Sequence, residues 1–139
     1  MRLRRLHLLV GVPLGLMVLV NPVPALPDTV LLPEEAAKAV GIRNVRVQDG
    51  VISGELVNKS PRLVRNVQLL IRYVWHWKNE FRPGENDPGK AIYHTVKKEI
   101  APGRSVSFTY SLSPPLLSRP DGHFETEVSI AGFSEVVPR

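Results

Sequence analysis

The stretch Arg65-Asn66-Val67-Gln68-Leu69-Leu70-Ile71-Arg72-Tyr73-Val74-Trp75-His76-Trp77 decides how the rest of the chain is read. Val67, Leu69, Ile71, Tyr73, Trp75 and Trp77 share one parity, while Gln68, Leu70, Arg72, Val74, His76 and the following Lys78 share the other. The segment is long enough for a helix. An apolar stripe recurring at every second residue, carried by β-branched and aromatic side chains, instead belongs to a strand with one buried face. The reading is therefore a long central strand over Arg65 to Trp77, with Trp75 in the core and Trp77 either in the core or displayed where the strand ends.

The same period runs outward on both sides. Before the central strand, Val51 to Asn58 places Ile52, Gly54 and Leu56 on one face and Ser53, Glu55 and Val57 on the other. Val45 and Val47 form a short strand ahead of it, joined through Asp49-Gly50, a two-residue turn whose residues both tolerate positive φ. Gly54 leaves room for a facing side chain such as Trp75 to approach the backbone, and Asn58, at a strand end, is suited to bonding turn amides. After the central strand, Glu80 to Lys90 contains Pro83-Gly84 and Asp87-Pro88-Gly89 and reads as a loop. Ala91 to Ile100 is a strand closed by Ala101-Pro102-Gly103. Ser105 to Leu112 is another, with Val106, Phe108, Tyr110 and Leu112 inward. Past Ser113-Pro114-Pro115 and Asp121-Gly122, Phe124, Thr126, Val128 and Ile130 alternate with Glu125, Glu127, Ser129 and Ala131. Gly132 interrupts, leaving Phe133 to Val137 as a last short strand or the bulged end of the same one. Six to seven strands with no helix between them predict an all-β, immunoglobulin-like antiparallel β-sandwich over residues 45–137, with a small barrel as the other architecture.

Upstream of the sandwich, residues 26–44 form a leader. Its Pro33-Glu34-Glu35, acids in a first turn, and Gly41 after the last turn predict a short N-terminal helix of about two turns. That helix reads as a lid over one end of the sandwich or as a partner-binding arm. Further upstream, Met1-Arg2-Leu3-Arg4-Arg5 is a basic n-region, Leu8 to Val20 is uncharged and apolar, and Val23 and Ala25 suit a signal-peptidase site. Residues 1–25 are read as a signal peptide cleaved after Ala25. The apolar stretch falls short of the roughly 20 residues that span a bilayer and is interrupted by Gly11, Pro13 and Gly15. Cleavage would leave no stable membrane span. An uncleaved anchor with its basic end inside would also put the domain outside. Both point to a periplasmic or secreted, bacterial location.

Charge and cysteine content close off several functions. The formal net charge is +5, from 18 basic and 13 acidic residues. Three of the arginines are Arg2, Arg4 and Arg5, and beyond them signs alternate, as in Lys97-Lys98-Glu99. No basic run with interleaved aromatics marks a phosphate track, so no nucleic acid partner is expected. With no cysteine in the sequence there is no disulfide, thiolate zinc site, cysteine nucleophile or lipid-modified cysteine.

The strand Val51-Ile52-Ser53-Gly54-Glu55-Leu56-Val57-Asn58-Lys59-Ser60, the run Val67 to Tyr73, and Ile100-Ala101-Pro102-Gly103 followed by Phe108 together resemble the FxLYD-type domains of bacterial and archaeal envelope proteins. The resemblance covers roughly Val45 to Ile130 and implies a fibronectin III or immunoglobulin sandwich without catalytic residues. The family's name motif is replaced here by Leu70-Ile71-Arg72-Tyr73-Val74-Trp75.

Candidate chemistry is sparse. Beyond the signal, the histidines are His76, His94 and His123. His76 and His94 fall on strands that a hairpin could pair, and Glu80 or Asp87 could complete a metal site, but no metal-ligand spacing such as His-x-His or His-Glu-x-x-His occurs. There is no Gly-x-Ser-x-Gly elbow. Glu125 and Glu127, near Glu135, share the solvated face of a strand and are not read as a glycosidase pair. Glu80, Glu85 and Asp87 match no EF-hand spacing. No catalytic residue, metal ligand or cofactor is expected. The loop from Lys78 to Lys90 is the candidate binding surface, with Trp77, Phe81, Arg82 and Glu85 as its residues, because loops at a sandwich end display aromatic and arginine anchors. The expected role is a non-enzymatic structural or protein-interaction module contacting an envelope protein partner. The alternative is a carbohydrate- or small-ligand-binding domain using the same rim. The oligomeric state is not legible in the sequence.

Overall fold

Residues 33–138 are described by a computed structural model of the chain. The signal peptide, its cleavage after Ala25 and the first part of the leader lie outside the described residues. The chain enters through α1 (Pro33–Ala39), with Glu34 and Glu35 in its first turn and Lys38 in its last, where each charge complements the helix dipole. Ala36 is fully buried, so α1 seals the core. It packs on β6 (Gly122–Val136) and β1 (Val40–Gln48).

Between these come β2 (Val51–Asn58), β3 (Leu63–Trp77), β4 (Lys90–Val96) and β5 (Ser105–Ser111). They form two antiparallel three-stranded sheets, β1-β2-β5 and β4-β3-β6. The chain crosses from the first sheet to the second at Asn58–Leu63, returns for β5, and crosses back for β6. That is the antiparallel sandwich the alternation predicts. Among the described residues the strands number six: Phe133 to Val136 is the far end of β6, which pairs with β3 from Leu63↔Val136 to Trp77↔Gly122.

The core lies where the two inner faces meet. Ile52 and Leu56 come from β2, Val64, Val67, Leu69, Ile71 and Tyr73 from β3, Phe108 from β5 and Ile130 from β6. Two irregularities let this face stay apolar. At Asn66 (φ 51°) the register of β3 shifts, so Val64 and Val67 both point inward despite opposite parity. At Asn44 (φ 54°) β1 shifts in the same way. β1 starts at Val40, directly after the helix, rather than at Val45; beyond the bulge Val47 lies opposite Ile52, but Val45 and Val47 are both exposed, and the buried part of β1 is its Val40 end. Such bulges absorb an extra residue at the cost of one unpaired position.

Four other features differ in detail from the sequence reading. β4 stops at Val96, and Ile100 makes an isolated bridge to Val64. Gly54 faces Phe108 and not Trp75. Val106, Tyr110 and Leu112 face inward as expected but are half-buried against the core, with Phe108 alone of the four fully inside it. β3 and β4 do pair as a hairpin, but it does not bring His76 and His94 together: His76 lies opposite His123 of β6, whereas His94 lies opposite Leu69. The Asp49-Gly50 turn is as expected, with φ of 52° and 76°.

The strand directions give the sandwich two poles. α1, the 59–62 connection, the Ala101-Pro102-Gly103 turn and the end of β6 lie at one. The Asp49-Gly50 turn, the 78–89 loop and the 112–121 connection lie at the other, since Val51↔Ser111 and Trp77↔Gly122 are terminal pairs of their sheets.

Candidate functional site

The far pole is built by the inequality of the two sheets. β3 and β6 outrun β1, β2 and β5, so the inward face of their ends, Trp75, Trp77 and Phe124, has no opposing sheet. The 112–121 connection covers it instead. Leu116 packs against the core, and the guanidinium of Arg119 stands 5.1 Å from the Trp75 ring centroid and 5.4 Å from that of Trp77. A planar cation over aromatic rings is favourable and retains hydrogen-bonding edges. Arg119 uses them: Nε donates to Asp121 Oδ1 at 3.0 Å, Nη2 to Asp121 Oδ2, and Nη1 to the Asn86 carbonyl at 3.3 Å. The hydrogen bonds from Arg119 hold the Asp121 carboxyl below its ordinary value.

Trp75 is buried and Trp77 half-buried, with their rings edge-to-face at 5.8 Å. Gly84 is pressed against Trp77: a Cβ there would stand 2.7 Å from Cη2. Gly122 is packed as tightly beneath Trp75, where a Cβ would meet ring atoms at 2.4 Å. The 78–89 loop is thus folded back onto Trp77. Local Asx turns shape it, with Phe81 N–H donating to Asn79 Oδ1 at 3.1 Å and Gly89 N–H to Asp87 Oδ1 at 2.7 Å, as Asn and Asp do at loop bends. Lys78 N–H donates to the Asp121 carbonyl at 2.8 Å, tying the two loops together.

The four candidate residues do not converge on one point. Trp77 and Arg82 line an open depression of about 560 Å³ with Lys78, Asn79, Gly84 and Asp121. Phe81 is 97% exposed at the loop tip, and Glu85 is exposed outside the depression. Arg119 and Asp121 complete this rim and escape the sequence reading. Their connection has no period, and only the adjacency of Arg and Asp near the Gly122 strand start could have flagged them. Leu117, 80% exposed, lies on the same connection. A second hollow, of about 260 Å³, runs between Trp75, Leu116, Arg119 and Phe124.

The remaining titratable groups are arranged on solvated faces. On the outer face of the β4-β3-β6 sheet, Arg72 pairs with Glu127 at 3.0 Å and His76 Nε2 meets Glu125 Oε2 at 2.7 Å. The His–carboxylate contact stands on a flat sheet face and not in a cleft, so no enclosed space for a reacting group adjoins it. His94 is half-buried on the inner side, its ring 4.8 Å from that of Tyr110. Glu80, Glu85 and Asp87 are exposed on the loop, and Asp87 is engaged by Gly89. Among the described residues no helix is long and apolar enough to cross a membrane.

No protein-family model matches the sequence, and no curated protein matches it. Among solved structures, the trimeric lipoprotein SadB of Salmonella enterica is similar to 66% of this chain at 18% identity and a TM-score of 0.41, and the match spans about half, 48%, of that chain.

Proposed function

We propose that the chain is a non-enzymatic, exported β-sandwich module that acts in the bacterial envelope through protein contacts made by its far pole. The signal-like N-terminus supports export, and the resemblance to FxLYD-type domains supports an envelope module without catalytic residues. The observation that carries the contact role is Phe81. It is almost fully exposed on a loop that is itself braced from beneath by Trp77, Arg119 and Asp121. A displayed aromatic flanked by Arg82 is the kind of anchor that protein interfaces use.

The shape of the pole favours this over ligand binding. Small-ligand sites enclose most of their ligand, whereas the depression beside Trp77 is open. A sugar-stacking residue needs a free ring face, and Trp77 has Gly84 against it and Arg119 over it.

A photoreactive amino acid at position 81, compared with one at Thr109 on the exposed face of the other sheet, tests the reading in intact cells of the source organism. A discrete crosslinked protein from position 81 that is absent from position 109 is the expected result. Identical patterns from both positions, or none from position 81, would remove the far pole as the contact surface.

A further inference from the structure

We infer that the outer face of the β3–β6 ribbon carries a binding site for a divalent transition metal of the zinc class, held by His76, His123 and Glu125. His76 and His123 are directly opposed across the two strands. Their rings are stacked at 5.3 Å with 22° between planes. Directly opposed residues have Cβ atoms only about 4.5–5.5 Å apart, so both imidazoles reach one point above the sheet. Glu125, two residues along β6 from His123 and on the same face, already brings its Oε2 to 2.7 Å from His76 Nε2.

That short contact places a nitrogen and a carboxylate oxygen around one proton. A metal ion taking the proton's place requires those atoms to separate only slightly, because zinc binds such ligands at about 2.0–2.2 Å and tetrahedral neighbours then sit about 3.4 Å apart. Two imidazoles and one carboxylate with water in the fourth position are a common zinc ligand set. Among the described residues no three such side chains are already gathered about a metal position, so His123 must turn out of its stack. It is exposed, and the Glu125 side chain is 59% exposed, so both rotate without repacking the core. The nearest other charged pair on this face, Arg72 with Glu127, is self-satisfied and does not supply a competing cation to Glu125. Binding that starts from an exposed, unlocked site is weak, with a Kd of about micromolar order.

The test is zinc titration of the purified, untagged chain by calorimetry. One saturable site is expected. His76→Asn and His123→Asn should each weaken it by about tenfold or more, with Glu125→Gln weakening it less and His94→Asn leaving it unchanged. Nickel added to the unmodified protein gives a second readout that does not depend on any variant folding: the ring protons of His76 and His123 should broaden before those of His94. Absence of saturable binding, binding unaffected by His76→Asn, or broadening of His94 first would each overturn the site. None of these outcomes bears on the contact role of Phe81, which lies on the loop and not on this face.

Discussion

Phe108 lies across Gly54, with ring carbons Cε1 and Cζ 2.9 Å from where a Cβ on residue 54 would stand. The two residues are direct partners across β2 and β5, so the aromatic ring fills the space that a side chain on β2 would have taken. Gly54→Ala forces that ring out of a buried position. Overpacking of this kind costs about 1–3 kcal/mol, read as a lowered urea midpoint with unchanged slope. Gly132→Ala is the control. Nothing lies within 4 Å of its Cβ position, and its effect should stay within about 0.5 kcal/mol.

Among the described residues Asn58 is the one fully buried side chain with an amide, and it stitches the near pole together. Its Nδ2 donates to the Arg62 carbonyl at 2.6 Å and the Ile100 carbonyl at 2.8 Å, while Oδ1 accepts from Ser60 N–H at 2.9 Å and Ser60 Oγ at 2.7 Å. Asn58→Ala strands the Ser60 amide and opens a void, for a loss of roughly 1–3 kcal/mol. Asn58→Asp should be worse at neutral pH, since a carboxylate oxygen then faces two carbonyl oxygens. Acidification that protonates it restores a donor and part of the stability. Thermal melts of both variants at neutral and acidic pH check the order.

How much of this was legible in the sequence follows from which interactions are local. The alternation in β2, β3 and β5, the Asp49-Gly50 turn and the bond from the Ser60 amide to Asn58 all rest on neighbours within a few residues, and each reads directly, whereas the bond from Asn58 to the Ile100 carbonyl spans the sandwich. Parity across a bulge does not read directly, because Asn44 and Asn66 reset the count with no composition cue, which is why the alternation alone starts β1 at Val45. Pairings set by register are further out of reach. Whether His76 meets His94 or His123 depends on register: β4 and β6 both flank β3, but His94 lies opposite Leu69 on the inward parity while His123 lies opposite His76. At the candidate site, Trp77, Phe81 and Arg82 follow from the loop signals after a hydrophobic strand. Arg119 and Asp121 arrive from a Pro-rich connection whose path is fixed only by the uncovered ends of β3 and β6.

Tyr73 is buried in the core with a hydroxyl that finds no partner among the described residues. Burial disfavours the phenolate and raises its pKa above the ordinary 10.0, with the neighbouring Tyr110 adding to the rise. The folded value is thus the higher one. The associated stability is intact below the unfolded value near 10 and declines as pH rises from there through the folded value. Tyr73→Phe removes both the orphaned hydroxyl and the titration. Phenolate absorbance followed alongside unfolding should show the alkaline loss shrink in the variant, with stability at neutral pH unchanged or slightly raised.

Arg119 supplies the brace under Phe81, because it joins the Trp75 and Trp77 rings to Asp121 and to the Asn86 carbonyl of the neighbouring loop. Arg119→Ala leaves the sheets intact but uncovers both indoles. Loss of near-ultraviolet tryptophan circular dichroism with unchanged far-ultraviolet signal is expected, at a stability cost of about 0.5–2 kcal/mol for the cation–aromatic contact. Arg119→Lys keeps a charge near Asp121 but not the planar fork, so it should recover only part of the signal. The same signature should appear without mutation in strong acid. Asp121 has its pKa lowered by Arg119, so the pair's contribution is present above the ordinary carboxylate value of 3.8 and disappears as pH falls through the lower folded value. If the aromatic signal instead faded at mildly acidic pH, well above that range, the brace would not depend on Asp121.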